Sequence, residues 1–395
     1  MMVSLASYDL IQDRKNLATY YALLLFSTAG MMLVSISADL VLLVIAFEIS
    51  GIATYVLAGF DKNNKKSVEA SIKFFIIGSL STAITLFGIS LIYGVTGTTN
   101  IPTIALFFEQ NPTLTGMLYV GFGLIIAGFG FKITMVPFHA WAPDVYYGAP
   151  NTITALIAAG SKKMGFIALF YIFGIGGATV TNAVSIYKPD LSIIFGILAI
   201  ITMTVGNVAA LVQKNLKRML IYSSIAHAGY IAIALSVGTK LALTGGIYHI
   251  ITHAIMKGPA FILVGVLALT IYTEEIEGYK GLAKRNMFYA LSFGIILLSL
   301  AGIPPLAGFM SKLYLFASAV EAGNWFIALA VAGVLNSALS LYYYAKVIKV
   351  MFVDEPEKGK DKEIDVPFAS GIVIGLSAIL TVLLGVVPQI VLMLI

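Results

Sequence analysis

Residues 116–147 read GMLYVGFGLIIAGFGFKITMVPFHAWAPDVYY. The run is apolar enough to enter a bilayer, yet it carries Lys132 and then the break Pro137-Phe138-His139. A charge at bilayer depth costs roughly 3 kcal/mol or more and is kept mainly for a function. Irregular backbone at that depth is tolerated only where it is buried in protein or lines a wet cavity. This one stretch therefore implies a bundle of membrane helices with a polar path inside it. Five more lysines, Lys73, Lys162, Lys163, Lys257 and Lys312, and one glutamate, Glu48, sit in other stretches of the same kind. Their recurrence near the middles of successive segments points to an ion or proton path.

The composition agrees. Hydrophobic residues make up 59% of the 395, charged residues 11%, and mean hydropathy is +0.96. A soluble domain carries roughly a quarter charged residues, so that class is excluded. There is no cysteine, which removes disulfides, iron–sulfur ligation and thiolate chemistry from this chain. The four histidines, His139, His227, His249 and His253, form no close metal-ligand cluster in sequence, and no metal site is expected. No flavin, nucleotide or haem motif is present, so no cofactor is assigned to this chain. The net charge of +5 lies in loops between spans, a pattern unlike a nucleic-acid surface. The first span follows a polar start, Met1 to Asn16, without a small-residue cleavage site, and reads as a retained helix.

Hydropathy predicts eleven spans, near 17–36, 38–59, 67–94, 116–147, 151–176, 191–212, 219–237, 240–271, 287–319, 325–352 and 366–395. Two runs are broken, at Pro137-Phe138-His139 and at Gly302-Ile303-Pro304-Pro305, and Gly258-Pro259 is a third candidate. With the N-terminus inside, sixteen of the 24 lysines and arginines fall on the inner side, two on the outer side and six within spans. That bias places the C-terminus outside a plasma membrane. The expected organisation is a cytoplasmic N-terminus (1–16), five spans (17–176), five more (191–352), a cytoplasmic loop (353–365) and a last span (366–395). Each set of five has its broken helix in fourth position. An odd repeat length inverts the second copy relative to the first, the plan of many transporters. The fold class is all-α polytopic, with two inverted five-helix repeats.

At this level the motifs become specific. Phe131-Lys132-Ile133-Thr134-Met135-Val136-Pro137-Phe138-His139-Ala140-Trp141-Ala142-Pro143-Asp144, then Gly148-Ala149-Pro150 and Ala158-Ala159-Gly160-Ser161-Lys162, resemble the signature of the antiporter-like subunits of complex I. So do Asn215 to Gly229 (NLKRMLIYSSIAHAG) and Leu300-Ala301-Gly302-Ile303-Pro304-Pro305 to Gly308-Phe309. The resemblance is strongest to subunit N of NADH–quinone oxidoreductase, with F420H2 dehydrogenase, membrane-bound hydrogenase and Mrp antiporter subunits as relatives. It starts at the family's fourth span, so three N-terminal helices are expected to be missing. No long lateral helix follows the last span, which argues against the subunit at the distal end of the arm.

The resemblance implies a respiratory translocase subunit that moves protons, with neighbouring antiporter-like subunits as partners. Flavin, iron–sulfur and quinone chemistry would then belong to those partners. The alternative is a subunit of a Mrp-type Na+/H+ antiporter or of an ion-pumping hydrogenase. It also implies residue roles. Glu48 and Lys132 match the family's glutamate–lysine pair, against which stands a static ion pair fastening two helices. Lys162 matches the central-axis lysine, while Lys163 would point about 100° away, to snorkel at the lipid side or to face a neighbouring subunit. Lys257 fits the central path and Lys312 the exit-side lysine, unless either caps carbonyls freed by a break. Lys73 lies near the cytoplasmic face, within snorkelling reach. His249 and His253 share a helix face and read as proton-relay groups or hydrogen-bonded core. His139 and His227, in the cytoplasmic-side motifs, could feed an entry path or cap loop backbone and read as structural, and Asp144 reads as a cap on the helix that restarts after the first break.

Overall fold

The computed structural model describes residues 1–11, 16–111, 115–174, 189–356 and 363–395. Of the cations in the topology count, Arg14, Lys15, Lys188, Lys358, Lys360 and Lys362 lie outside the described residues. The chain runs α1 (Met2–Leu10), α2 (Leu17–Ile36), α3 (Leu40–Ala58), α4 (Lys65–Thr96), α5 (Ile101–Gln110) and α6 (Gly116–Lys132). After the first break come α7 (Ala142–Gly148), α8 (Asn151–Leu156), a π-helical turn (Ile157–Ser161) and α9 (Lys162–Phe173). Then follow α10 (Pro189–Leu211), α11 (Leu216–Val237), α12 (Lys240–Ile271), α13 (Leu282–Arg285) and α14 (Met287–Ala301). The chain closes with α15 (Ala307–Ala322), α16 (Phe326–Phe352), α17 (Phe368–Val386) and α18 (Gln389–Leu392).

Nine helical elements among the described residues are long and apolar enough to cross a membrane, counting α8 to α9 as one. The shorter apolar helices α6 and α14 are the first halves of the two broken crossings. Together they give the eleven crossings expected. Every residue of α11 except Arg218 and Tyr222 is buried, so this helix is enclosed on all sides.

The same construction occurs twice. Asp39 caps α3 by accepting from Val41 N at 2.8 Å, and its flanking backbone bridges to the segment after α4, Leu40 N to Thr99 O (2.9 Å) and Ile101 N to Ala38 O (2.8 Å). Asn215 caps α11 by accepting from Arg218 N at 2.9 Å. Its flanks bridge in the same way to the segment after α12, Leu216 N to Glu274 O (2.8 Å) and Ile276 N to Lys214 O (2.9 Å). Each bridge spans a helix of 32 residues. Such a helix is about 48 Å long, more than the ~30 Å hydrocarbon layer, so its ends project beyond that layer.

Two expectations change. Gly258-Pro259 does not break its helix: α12 runs through it. Proline removes the N–H that would pair with the carbonyl four residues back, here Ile255, and Ser377 Oγ of α17 donates to that carbonyl at 2.6 Å. The N-terminal segment is partly helical, since α1 is a helix whose Ala6 and Ser7 are fully buried. It is tied down by the chain Ser7–Tyr20–Thr152, with oxygen separations of 2.8 and 2.9 Å. The described parts of the 353–365 loop dock on this chain's own α13 region, through Ile364 N to Arg285 O (3.2 Å) and Asn286 Nδ2 to Ile364 O (2.7 Å).

Helix α17 begins at a proline with no side-chain cap of its own. Asp9 of α1 accepts the Ser370 N–H at 2.6 Å and serves as a cap from another element. Loss of such a cap costs about 1 kcal/mol. Asp9→Ala should speed amide exchange in the first turn of α17 about fivefold in the intact protein, measured by hydrogen-exchange mass spectrometry. Unchanged exchange there would show that α1 does not hold α17.

Candidate functional site

The first break seals its own backbone. Met135 N donates to Gly130 O (2.8 Å) and Thr134 N to Phe131 O (3.0 Å), while Trp141 Nε1 also donates to Phe131 O (3.1 Å). Thr202 of α10 accepts from Val136 N at 3.0 Å. These contacts hold the interrupted chain in the interior, as backbone at this depth requires. Thr134 adopts φ 58° to make the turn.

Lys132 stands at the edge of this break, 7% exposed. Its Nζ donates to Tyr55 Oη at 3.0 Å and lies 5.1 Å from the Tyr55 ring centroid and 6.0 Å from that of Phe47. Glu48, half-buried on α3, accepts the Thr82 hydroxyl at 2.6 Å. The two are not joined as an ion pair, since the ion pairs among the described residues do not include either. Each is instead held by a neutral hydroxyl. A cavity of about 20 Å³ touches both Lys132 and Thr82, room for about one water molecule.

The centre of the site is written along α11. Lys162, the first residue after the π turn, donates to Ser224 O at 2.6 Å. Lys257 of α12 bonds the neighbouring Ser223 hydroxyl. Nearly one turn on, His227 Nδ1 meets His249 Nε2 at 3.0 Å, and His249 Nδ1 meets Ser311 Oγ at 2.9 Å. Ser311 donates to Gly308 O (3.0 Å), so it accepts from His249 Nδ1–H, and with neutral rings His227 then donates to His249. His253 closes the group, its ring 4.7 Å from that of His227. Another turn along α11, Tyr230 lies under Lys312 Nζ, 4.8 Å from the ring centroid. Residues 223, 224, 227 and 230 thus form one polar stripe at helical spacing.

Lys312 reaches back across the second break. Its Nζ donates to Leu300 O (3.0 Å), Ala301 O (2.9 Å) and Ser337 Oγ (2.8 Å), taking up carbonyls that the end of α14 leaves free. Behind it lies a polar network. Asn207 Nδ2 donates to Tyr230 Oη (3.2 Å) and Asn336 Oδ1 (3.1 Å), and Tyr343 Oη donates to Asn207 Oδ1 (2.9 Å).

Several readings shift with this geometry. Lys163 does not face lipid: it is 5% exposed, because α9 is enclosed on nearly every side. Among the described residues it is the one buried lysine whose Nζ has no hydrogen-bond partner. His227 belongs to the central cluster, fully enclosed on α11, and is no loop cap. Lys73 is apart from the rest, exposed and paired with Glu69 and Asp144, both at 2.7 Å. Asp144 sits in the first turn of α7, whose N-cap is Trp141, and its carboxylate goes to Lys73. His139 is half-buried in the first break. Sequence reasoning missed Tyr55, Thr82, Ser223, Ser224, Tyr230 and Asn207. Tyr55 follows Glu48 by seven residues, two helical turns, which was the available signal.

A family model described as NADH:quinone oxidoreductase/Mrp antiporter, transmembrane, matches residues 37–340. F420H2 dehydrogenase subunit N of Methanosarcina mazei is 45% identical, over 98% of this chain and 78% of its own length. NADH-quinone oxidoreductase subunit N of Trichlorobacter lovleyi is 40% identical, over 99% of this chain and 79% of its own. A solved chain of respiratory complex I from Thermus thermophilus matches with a TM-score of 0.81 and 32% identity, covering 99% of this chain and 82% of that one. The broken helices, the buried lysines and these similarities agree, and the chain belongs to the NADH:quinone oxidoreductase/Mrp antiporter transmembrane family as a homologue of N subunits.

Proposed function

We propose that this chain is a proton-translocating subunit in the membrane arm of a complex-I-like oxidoreductase of a prokaryotic plasma membrane. Protons pass through Glu48, Lys132, Lys162, Lys257, His249, His253 and Lys312. The observation that carries the reading is the α11 stripe. It ties lysines of the first repeat (17–176) to those of the second (191–352) through Ser224, Ser223, His227 and Tyr230. A proton placed on His227 Nε2 is passed on by donation from Nδ1 to His249, which is aligned toward Ser311, the neighbour of Lys312. Lys73 stands outside this path, since its ion pairs with Glu69 and Asp144 give it a local role between α4 and α7.

The redox step lies with partner subunits, which carry the flavin, iron–sulfur and quinone chemistry. Neighbouring antiporter-like subunits cover part of the apolar flank. The homology to N subunits over nearly the whole chain favours this redox-coupled reading over cation exchange in a Mrp-type complex. With most cations inside, the N-terminus is cytoplasmic and the C-terminus outside.

Lys132→Ala or Glu48→Gln should lower proton pumping in membrane vesicles severalfold while the complex assembles. Wild-type H+ per electron pair in either variant would refute the assigned path. A C-terminal tag should react with an impermeant reagent in intact cells, and labelling only after lysis would overturn the orientation. Lys312 combines transfer with sealing of a helix end, so Lys312→Met should cost roughly 1–3 kcal/mol through the stranded Leu300 carbonyl. Lys163→Met removes no hydrogen bond and should be neutral or stabilising. Thermal denaturation of the purified complex tests this, and equal effects of the two would contradict it.

A further inference from the structure

One face of α3 carries Glu48, Gly51 and Tyr55 at helical spacing, and Lys132 approaches that face from α6. The Lys132 ammonium rests at the level of Gly51: a Cβ added there would sit 3.1 Å from Nζ and 3.0 Å from Tyr55 Oη. On the other side a Cβ at Gly78 of α4 would collide with Tyr55 Oη. Two glycines therefore clear a slot for one hydroxyl and one ammonium. Tyr55 is fixed from behind by an edge contact with Phe74, their centroids 4.7 Å apart. Glu48 lies about 4.5 Å further along the helix than Gly51, within the sweep of a flexible lysine side chain. A small cavity lined by Lys132, Phe47, Ser81, Thr82 and Thr85 lies between Lys132 and Thr82, the residue that holds Glu48.

We infer that Tyr55 is a positioning residue that holds Lys132 away from Glu48, with Thr82 holding Glu48 in turn, so that the two hydroxyls are latches on an ion pair kept open. Closure moves the ammonium along α3 from Tyr55 Oη to the carboxylate and releases both hydroxyls. No bond to hydrogen need break in that step: the same ammonium exchanges one acceptor for another. The inference rests on the proton path proposed above and adds to it what sets the resting position of its first lysine.

The test uses the intact complex with Tyr55→Phe, which keeps the ring and removes only the hydroxyl. Losing a hydrogen bond from a charged donor shifts the open-to-closed ratio roughly tenfold. The structure of the variant complex should show Lys132 Nζ on Glu48, and coupled proton pumping should fall severalfold. Tyr55→Phe should add nothing to Lys132→Ala, because the two act on one interaction. Should Tyr55→Phe fail to assemble, Thr82→Val tests the other latch with the same readouts. Lys132 unmoved in the variant and wild-type pumping, beside a defective Lys132→Ala, would overturn the latch and leave the path standing. Normal pumping in Lys132→Ala would remove the path itself.

Discussion

An ammonium inside a bilayer must find its acceptors within the protein, and the architecture follows from that requirement. Lipid offers no hydrogen bond, so every donor of Lys132, Lys162, Lys257 and Lys312 that is satisfied is satisfied by a hydroxyl or a carbonyl of this chain. The acceptors come from three sources. Helix interruptions release carbonyls, as at Leu300 and Ala301. Serine and tyrosine hydroxyls on neighbouring helices serve Lys132, Lys257 and Lys312, and the Ser224 carbonyl within α11 serves Lys162. Because α11 is buried on all sides, a serine pair on it serves lysines arriving from two directions, Lys162 and Lys257.

The requirement also explains why a proline is harmless in one place and decisive in another. In α12, Pro259 frees a single carbonyl and Ser377 takes it, so the helix continues. At Gly302-Ile303-Pro304-Pro305 two consecutive prolines remove successive N–H groups, and the helix stops. The π turn before Lys162 is subtler. It inserts one residue into a turn, shifting the register of all that follows, and places both Lys162 and Lys163 inside an enclosed crossing.

Much of this was legible beforehand. Eleven apolar crossings, both true breaks and the buried lysines follow from hydropathy and proline placement, since in lipid a long apolar run has few alternatives to a helix. The α1 helix was not legible, because Met2–Leu10 mixes polar and apolar residues and owes its docking to Asp9 and Ser7. Lys163 was misdirected by helical geometry: 100° of rotation leads to lipid only for a helix at the edge of the bundle, and α9 is not at the edge. The contacts of Glu48 were out of reach in principle. Sequence gives Thr82 as an ordinary polar residue, and only the crossing of α3 with α4 brings it to Glu48.

The two breaks use the same chemistry and leave their lysines in opposite conditions. At the first, Trp141, Thr134, Met135 and Thr202 satisfy the interrupted backbone. Lys132 precedes the break and contributes nothing to that seal, so its ammonium is spared for one side-chain hydroxyl, Tyr55 Oη. At the second, Lys312 follows the break and is itself the seal, with three acceptors two of which are main chain. Moving Lys132 exchanges one neutral hydrogen-bond partner for another group of higher charge. Moving Lys312 strands the Leu300 carbonyl, at a cost of roughly 1–3 kcal/mol for a buried group left unpaired, while Ala301 O keeps the Ser337 hydroxyl at 3.0 Å. The two breaks thus leave one lysine held by a single side-chain hydroxyl and the other tethered to main chain. In the proposed path that asymmetry sets a direction in which its parts can respond.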